Sequence, residues 1–410
     1  MKEYYSLSEV ADMLGKSKET LRRWDNNGKL TAVREPMSNY RVYRREQLKI
    51  FDELGFLFNT PKATSNAVKA DHDYSVLELF AGAGGLAIGL EKAGLTCVAL
   101  NEIDHWAAET LRQNRPQWNV IEADIRDLSF KHLKGKVDVV TGGFPCQAFS
   151  YAGKKLGFKD ARGTLFYEFA RVVNEVKPIL CVGENVRGLL NHDRGRTLQG
   201  MKSILDEIGY RPLDEKILKA IFYKVPQKRE RLILIGIRKD VKLTFDFPKP
   251  HNKIYSLKDA LKAGELYPTD VPKSAGTAYP KHKKEILAKV PPGGYWRDLP
   301  LKLQKQYMQK SFYLGGGKTG MARRMSWDEP SLTLTCSPAQ KQTERCHPEE
   351  TRPFTVREYA RIQTFPDNWS FAGSVSQQYK QVGNAVPVNL ATELGYSIVN
   401  FLNNVYKLRN

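Results

Sequence analysis

The sequence predicts an α/β protein with a mostly parallel sheet, preceded by a small winged helix-turn-helix unit and interrupted by a small irregular segment. From residue 75 onward, short apolar runs alternate with helical patterns, which is typical of parallel α/β sheets. Residues 1–58 carry closely spaced amphipathic patterns, and residues 241–350 are rich in Lys, Pro, Gly and aromatic residues without a regular period. A chain of 410 residues is long enough for two or three such units.

The first unit is predicted from capping residues and hydrophobic spacing. Ser6 and Ser17 stand where helix N-caps are expected, and Asn26-Asn27-Gly28 ends the second helix. The predicted elements are a helix at 7–14, a helix at 17–24, a strand at 40–43 and a helix at 46–54. This pattern resembles the DNA-binding domain of the MerR and excisionase-like group.

That resemblance implies DNA contacts from the second helix and from the wing. The implied contact residues are Ser17, Lys18, Thr20, Arg22, Arg23, Arg41 and Arg44. The alternative is a unit that uses this fold only for packing or dimerisation.

Beyond the first unit, the small and polar residues 59–74 predict a linker. The apolar runs that follow predict strands at 76–80, 96–101, 137–141, 179–183 and 232–237. We therefore expect four parts: a DNA-binding unit at 1–58, a linker at 59–74, an α/β catalytic unit at 75–240 and 351–410, and an irregular unit at 241–350.

A glycine loop after the first of these strands predicts a nucleotide-like ligand. Gly82 and Gly84 lie between a strand and a helix, where glycines allow close approach of a ligand to the backbone. Glu102 follows about 20 residues later, where an acidic side chain can bind a ribose diol. Asp124 ends the next strand. No Walker A lysine follows the loop, and hydride chemistry would leave a later thiol unexplained, so the pattern favours S-adenosylmethionine.

That thiol is Cys146, which follows an apolar run in the segment GGFPCQAFS. Glu184 ends another apolar run in the segment ENVRGLL. A thiolate that adds to carbon 6 of a pyrimidine, with an acid at ring N3, makes carbon 5 nucleophilic. Together with the donor loop, this pair predicts methyl transfer to a pyrimidine ring.

Nine motifs in order give residues 75–405 a close resemblance to the DNA (cytosine-5) methyltransferases of bacterial type II restriction-modification systems. They are LFAGAGG, NEID, ADI, GGFPCQAFS, GTLFYEFARVV, ENVRGLL, QKRERLILIG, RPFTVREYARIQTFPD and QVGNAVPVNLA. The third motif has Ala123 where the family usually has Gly. The resemblance implies a Rossmann-like, S-adenosylmethionine-dependent enzyme that methylates a flipped-out cytosine in a short sequence of double-stranded DNA.

The same motifs imply roles for individual residues. Cys146 resembles the nucleophile, Glu184 the partner of N3, and Arg231 the residue that holds the target base, with Arg229 beside it. The implied cofactor residues are Phe80, Gly82, Gly84, Glu102, Ile103, Asp124, Ile125, Pro145, Leu165, Asn384 and Val386. Residues 147–162 resemble a mobile loop that closes on DNA, with contacts from Gln147, Ser150, Tyr151 and Lys154.

Residues 241–350 would then be the target-recognition domain. Candidates for base or phosphate contacts are Lys318, Arg323, Arg324, Gln340, Lys341, Gln342 and Arg345. The alternative for each is a contact to phosphate or solvent alone, and the recognised sequence does not follow from these residues.

Composition supports a nucleic-acid partner. The net charge is +19, as expected for a protein that binds a polyanion. No transmembrane or signal segment is predicted. Five cysteines without a CxxC spacing predict neither a disulfide framework nor a metal site, and fit a reducing cytoplasm. We expect Cys97 and Cys181 in the core, Cys336 and Cys346 in structural or incidental positions, and His192 and His347 at the surface.

The resemblance also implies a bacterial, cytoplasmic and nucleoid-associated protein that works alongside a cognate restriction endonuclease without a stable complex. The oligomeric state stays open. One alternative is a tRNA cytosine-5 methyltransferase on the same fold, which the basic insertion and the winged helix disfavour. Another is a transcription regulator with an inactive methylase portion, which the intact motifs disfavour. Both roles could coexist, with residues 1–58 binding the promoter of the protein's own operon.

Overall fold

The structure is a computed structural model that describes residues 3–35, 39–58, 67–145, 164–315 and 318–409. In those ranges, no helix is long and apolar enough to cross a membrane.

A helix pair and a three-stranded sheet form the N-terminal unit. Its elements are β1 (Tyr4–Ser6), α1 (Leu7–Leu14), α2 (Lys18–Asn26), β2 (Val33–Arg34) and β3 (Arg41–Arg44). The hydroxyls of Ser6 and Ser17 accept hydrogen bonds from the third residues of α1 and α2, as N-caps do. Strand β3 pairs antiparallel with both β1 and β2, so the predicted wing is present.

The prediction of a third α-helix at 46–54 is wrong. The chain forms two 3-10 segments, Arg45–Ile50 and Asp52–Phe58. They are separated at Phe51, whose backbone is extended and whose ring stacks on Trp24 at 5.7 Å. The extended backbone of Phe51, where its ring packs on Trp24, marks the break between the two segments.

The central sheet contains all five strands that the apolar runs predict. Its strands are β4 (Tyr74–Leu79), β5 (Leu95–Glu102), β6 (Val120–Glu122), β7 (Val139–Gly142), β8 (Leu180–Val186), β9 (Tyr210–Pro212), β10 (Lys216–Lys219) and β12 (Glu230–Arg238), while β11 (Gln227–Lys228) pairs separately with β13 (Ser331–Leu332). The order is β10-β12-β8-β7-β4-β5-β6, with β9 on β12. Strands β4 to β8 of this sheet are parallel, and β12 runs antiparallel to β8.

Helices cover both faces of the sheet. The helices that follow the N-terminal unit are α3 (Gly85–Lys92), α4 (His105–Asn114), α5 (Leu165–Val176), α6 (Arg196–Glu207), α7 (Leu257–Leu261), α8 (Lys281–Leu287), α9 (Leu301–Met308), α10 (Val356–Ile362), α11 (Val375–Asn384) and α12 (Val388–Lys407), of which α3 and α12 cover one face and α5 and α6 the other. Neighbouring strand residues such as Val76 and Leu77 point into two different apolar clusters, as the two-residue period of a strand requires. One cluster includes α3 and α12, and the other includes α5 and α6.

Helix α12 packs directly on α3. A Cβ atom added at Gly89 of α3 would lie 2.3 Å from the Cβ of Ala391 in α12. The two helix backbones therefore approach more closely than any larger side chain would permit.

Residues between 279 and 346 have an apolar cluster of their own. Trp296, Met308 and Cys346 are buried in it, beside α8 and α9. This segment therefore has a small apolar core, although its sequence shows no regular period.

Candidate active site

The proposed reactive groups meet at the carboxyl edge of the parallel strands. Glu102, Gly142 and Glu184 lie at or near the ends of β5, β7 and β8. Arg231 joins them because β12 is antiparallel and begins at that edge. Ligands of open α/β sheets bind in the crevice at this edge.

Glu184 and Arg231 form a buried ion pair. The Nε atom of Arg231 lies 2.5 Å from Oε1 of Glu184, and the side chains are 8% and 11% exposed respectively. Register brings them together, since Arg231 lies opposite Val186 and Ile233 lies opposite Glu184. A charge pair in such a site fixes the direction of the carboxylate and limits its hydration.

The second oxygen of Glu184 faces the strand end that leads to Cys146. A Cβ atom added at Gly143 would lie 3.0 Å from Oε2 of Glu184, so the carboxylate lies against that backbone. The Asn185 side-chain amide donates to the carbonyl of Phe144 at 2.9 Å. Pro145 is exposed at the end of this segment. Cys146, Gln147, Ser150, Tyr151 and Lys154 lie outside the described residues.

Arg229 is buried beside this pair and holds the backbone. Its guanidinium donates to the carbonyls of Leu334 at 3.2 Å and Gly383 at 2.9 Å. Burial, with Arg231 nearby, lowers the pKa of Arg229 to about 9. Arg229 lies between β11 and β12 and therefore links this part of the chain to the segments that contain Leu334 and Gly383.

A cavity of about 150 Å³ at the ends of β5 and β6 collects five of the predicted cofactor residues. Its lining includes Phe80, Ile103, Asp124, Ile125 and Leu165. Ile103, directly after β5, is 63% exposed. Arg126 hydrogen bonds lower the pKa of Asp124 to about 2.

The glycine loop is held by Glu102. Its Oε2 accepts from the N–H of Gly82 at 2.7 Å, and its Oε1 accepts from the N–H groups of Ile103 and Asp104. Gly82 has a φ of 55° and Gly84 a φ of 84°, both in the left-handed region that glycine adopts without strain. Burial raises the pKa of the Glu102 carboxyl, and these backbone hydrogen bonds oppose the rise.

Asn384 and Val386 approach the glycine loop from the other end of the chain. A Cβ atom at Gly85 would lie 2.2 Å from the carbonyl oxygen of Val386. Asn384 is exposed, and its Oδ1 accepts from the thiol of Cys336 at 3.1 Å. Val386 therefore lies beside the residue that follows the glycine loop, and neither Asn384 nor Val386 lines the 150 Å³ cavity.

The residues of the N-terminal unit that are predicted to contact DNA differ in their exposure and in their ion pairs. Arg22, Arg23 and Arg44 are exposed, with Arg22 paired to Glu19 in the same helix. Lys18 pairs with Glu329 at 2.9 Å, and Arg41 pairs with Asp25 at 2.6 Å. The last two cations are therefore engaged inside the protein.

The prediction that Arg324 and Arg345 contact DNA bases is wrong, because both side chains are buried. Arg324 is 3% exposed and Arg345 is 5% exposed. Arg324 donates to the carbonyls of Leu287 and His347, and Arg345 donates to that of Thr333 at 2.6 Å. Both guanidiniums satisfy buried carbonyls, so neither faces solvent where DNA could reach it.

The expectations for Lys318 and His347 also need correction. The ammonium of Lys318 donates to the carbonyls of Ser311 and Leu314 and so closes a local turn. His347 is buried, and its Nδ1 accepts from the N–H of Glu350 at 3.1 Å.

Gln340 and Gln342 are exposed, while Arg323 and Lys341 are half-buried. Cys97, Cys181 and Cys346 are buried and Cys336 is exposed.

We predict that Arg324→Met lowers stability without changing the DNA sequence that is recognised. Its loss leaves several buried carbonyls unpaired, at a cost of about 2–4 kcal/mol in the free energy of unfolding. Chemical denaturation measures this change. Arg297→Met, at an exposed position, is the matched control and should cost less than about 1 kcal/mol. An altered recognition sequence with unchanged stability would contradict the assignment.

The sequence did not identify three residues that shape the candidate site. Asn185 and Gly143 shape the approach to Cys146, and Arg126 pairs with Asp124. Gly143 lies within the motif GGFPCQAFS and Asn185 within ENVRGLL, so their position was a usable signal. No sequence signal indicates that Arg126 folds back onto a carboxylate two residues away.

Comparison with known proteins agrees with this geometry. Residues 74–400 match the family described as C-5 cytosine-specific DNA methylase, and residues 5–60 match the MerR HTH family of regulatory proteins. The chain is 63% identical over 409 residues to the type II methyltransferase M.Eco47II of Escherichia coli, covering 99% of this chain and 98% of that protein. It is 55% identical over 341 residues to M.Sau96I of Staphylococcus aureus, covering 82% and 78% respectively.

Solved structures share the fold. A DNMT2 mutant from Spodoptera frugiperda superposes with a TM-score of 0.55 at 19% identity, over 82% of this chain and all of that one. The Entamoeba histolytica methyltransferase EhMeth gives a TM-score of 0.55 at 17% identity, over 81% of this chain and 99% of that one.

Proposed function

The chain belongs to the C-5 cytosine-specific DNA methylase family, and from this premise we propose that it methylates carbon 5 of a flipped-out cytosine through a covalent adduct with Cys146. The observation that carries this proposal is the Glu184–Arg231 pair, which lies against the backbone three residues before Cys146. The matching methyltransferase relatives support a role in a type II restriction-modification system.

The residues present fit S-adenosylmethionine. The cavity offers apolar side chains for a purine face, namely Phe80, Ile103 and Ile125, beside the carboxylate of Asp124. Open space at Gly82, where an added Cβ would meet nothing within 4 Å, leaves room for a ligand against the loop. When bound, S-adenosylmethionine supplies an electrophilic methyl group.

The protein's part is to make carbon 5 of cytosine nucleophilic. The thiolate of Cys146 forms a bond to carbon 6, and the electron pair of the 5,6 double bond becomes available at carbon 5. Glu184 Oε1 is held by Arg231, which leaves Oε2 to engage ring N3 and stabilise the added charge. After methylation, a base removes the proton at carbon 5 and the carbon–sulfur bond breaks, which restores the double bond and the thiolate.

Access to the ring requires the base to leave the duplex, at a cost of a few kcal/mol. We propose that residues 147–162 close over the extruded base and that residues 241–350 select the sequence. Exposed Gln340 and Gln342 and half-buried Arg323 are the better remaining candidates for DNA contacts. A cognate endonuclease that cuts the unmethylated site would be a functional partner without a stable complex.

A second role for residues 1–58, binding of the operon promoter, is favoured by the MerR match and by exposed Arg22 and Arg23. Replacing Arg22 and Arg23 together by Glu, on the exposed face of α2, should abolish sequence-specific promoter binding and leave methylation intact. A double variant that bound the promoter as tightly as the wild type would contradict this role.

Bisulfite sequencing tests the main proposal. Unmethylated plasmid is incubated with S-adenosylmethionine and either the wild type, Cys146→Ala, or the control Cys97→Ala, whose thiol is buried in β5. We expect protected cytosines in one short motif with the wild type and the control, and none with Cys146→Ala. No protection with any of the three would overturn the proposal and favour an RNA substrate.

A further inference from the structure

The N-terminal unit is packed onto the edge of the α/β unit. The rings of Phe56 and Phe222 meet edge to face at 4.9 Å, and one apolar cluster runs from Leu14 and Leu57 to Ile221. Lys219, at the end of β10, donates to the carbonyl of Met13 at 2.8 Å. This contact places the turn after α1 beside the active-site edge of the sheet.

An ion-pair network fixes the same contact. Lys228 pairs with Asp12 at 2.9 Å and with Glu329 at 3.1 Å, and Glu329 also pairs with Lys18. Burial opposes ionisation of Glu329, but Lys228 and Lys18 lower its pKa to about 2. The network joins α1 and α2 to the segments before β12 and β13, so the unit is held in one orientation.

An open groove of about 450 Å³ lies between the two units. The turn residues Gly15 and Lys16 form one wall, and Arg231 of the active site lies in the other. Two acidic side chains, Asp12 and Glu230, also line it. The basic lining residues are Lys16, Arg187, Lys219, Lys228, Arg229 and Arg231.

The charges that remain available in this groove are positive. Asp12 is neutralised by Lys228, and Glu230 by Arg187 at 2.8 Å. Lys16 is exposed at the mouth of the groove, next to the exposed residues Val186 and Arg187. A groove of this charge, open to solvent and continuous with the reactive pair, is complementary to a phosphate backbone.

We propose that residues 3–58 form one wall of the cleft that receives the substrate duplex, with Lys16 contacting phosphates beside the target cytosine. This inference rests on the proposed DNA methylation and adds a partner surface to it. The winged helix thus holds the DNA that is being methylated, using the turn after α1. The exposed face of α2 that carries Arg22 and Arg23 is a separate surface.

Site-specific photo-crosslinking tests the contact directly. A photo-activatable phenylalanine derivative is placed at position 16, or at position 136 as the control, in the full-length protein. Lys136 is exposed and precedes β7, at the edge of the sheet opposite the active site. The probe is a duplex carrying the motif found by bisulfite sequencing.

We expect position 16 to crosslink to nucleotides within a few base pairs of the target cytosine, and position 136 to give none. Methylation of the same duplex is measured in parallel. If methylation proceeds and position 16 does not crosslink near the target, the inference is wrong while the proposed function stands. If the duplex is not methylated by the wild type, the proposed function itself fails.

A charge reversal provides an independent measurement. Loss of one phosphate contact should reduce the slope of log Kd against log salt by about 0.9. We expect this reduction for Lys16→Glu and an unchanged slope for Lys136→Glu. Equal slopes for both variants would overturn the proposed contact. Both positions are exposed, and thermal melting confirms that the two variants are folded.

Discussion

Replacing Glu184 by Gln is expected to lower the rate of methyl transfer by about 10²–10⁴-fold, the usual contribution of a positioned acid or base. The amide keeps the size of the carboxyl group but cannot carry the negative charge that pairs with Arg231 at 2.5 Å. It also cannot share a proton with N3 of cytosine. Carbon 5 therefore stays a poor nucleophile even when the base is bound.

Single-turnover transfer of a radiolabelled methyl group measures this rate, and a binding assay on the same duplex separates chemistry from affinity. Glu207→Gln, exposed at the end of α6, is the matched control and should keep the wild-type rate. We expect the Kd for DNA of the Glu184 variant to stay within a fewfold of wild type. A rate within threefold of wild type would exclude Glu184 from the chemical step.

Replacing Gly85 by Ala is expected to weaken cofactor binding at least tenfold and to lower Tm. Alanine favours a helix over glycine by about 1 kcal/mol, which alone would stabilise α3. The new Cβ, however, would lie 2.2 Å from the carbonyl oxygen of Val386, a backbone atom that cannot rotate away. Overpacking of this kind costs about 1–3 kcal/mol or more, so the clash outweighs the helix propensity.

Calorimetric titration with S-adenosylmethionine and thermal unfolding measure the two effects. Gly55→Ala is the control, since an added Cβ there would meet nothing within 4 Å. Unchanged Kd and Tm in the Gly85 variant would show that the segment at Val386 can move without affecting the glycine loop.

Local patterns predicted the strands and the residues at their ends. The strand ends predicted at 80 and 141 lie within one residue of the observed ends Leu79 and Gly142, whereas the strand predicted to end at 183 continues to Val186. The predicted cofactor residues Phe80 and Asp124 follow β4 and β6, whose ends lie at one edge of the sheet, and they line one cavity with Leu165 at the start of α5. Periodicity predicted the strands and the position of Asp124, whereas Phe80 and Leu165 were implied by the resemblance of their motifs to a known family.

Long-range packing was not predictable in the same way. Arg324 and Arg345 carry charges that suggest a surface role, yet both are buried and donate to backbone carbonyls, including those of Leu287 and Thr333 respectively. The pairing of Lys18 with Glu329 joins residues 311 positions apart, and no local pattern encodes it. Burial of a cation depends on which carbonyls the tertiary fold brings to it, and a single sequence does not reveal that.

The packing of α12 on α3 also has a consequence during protein synthesis. The glycine loop is made about 300 residues before α12, a delay of roughly 15–60 s at translation rates of about 5–20 residues per second. Until α12 emerges from the ribosome, α3 and the donor loop lack the helix that covers them. A nascent chain thus completes the site proposed for the methyl donor only after α12 has folded onto α3.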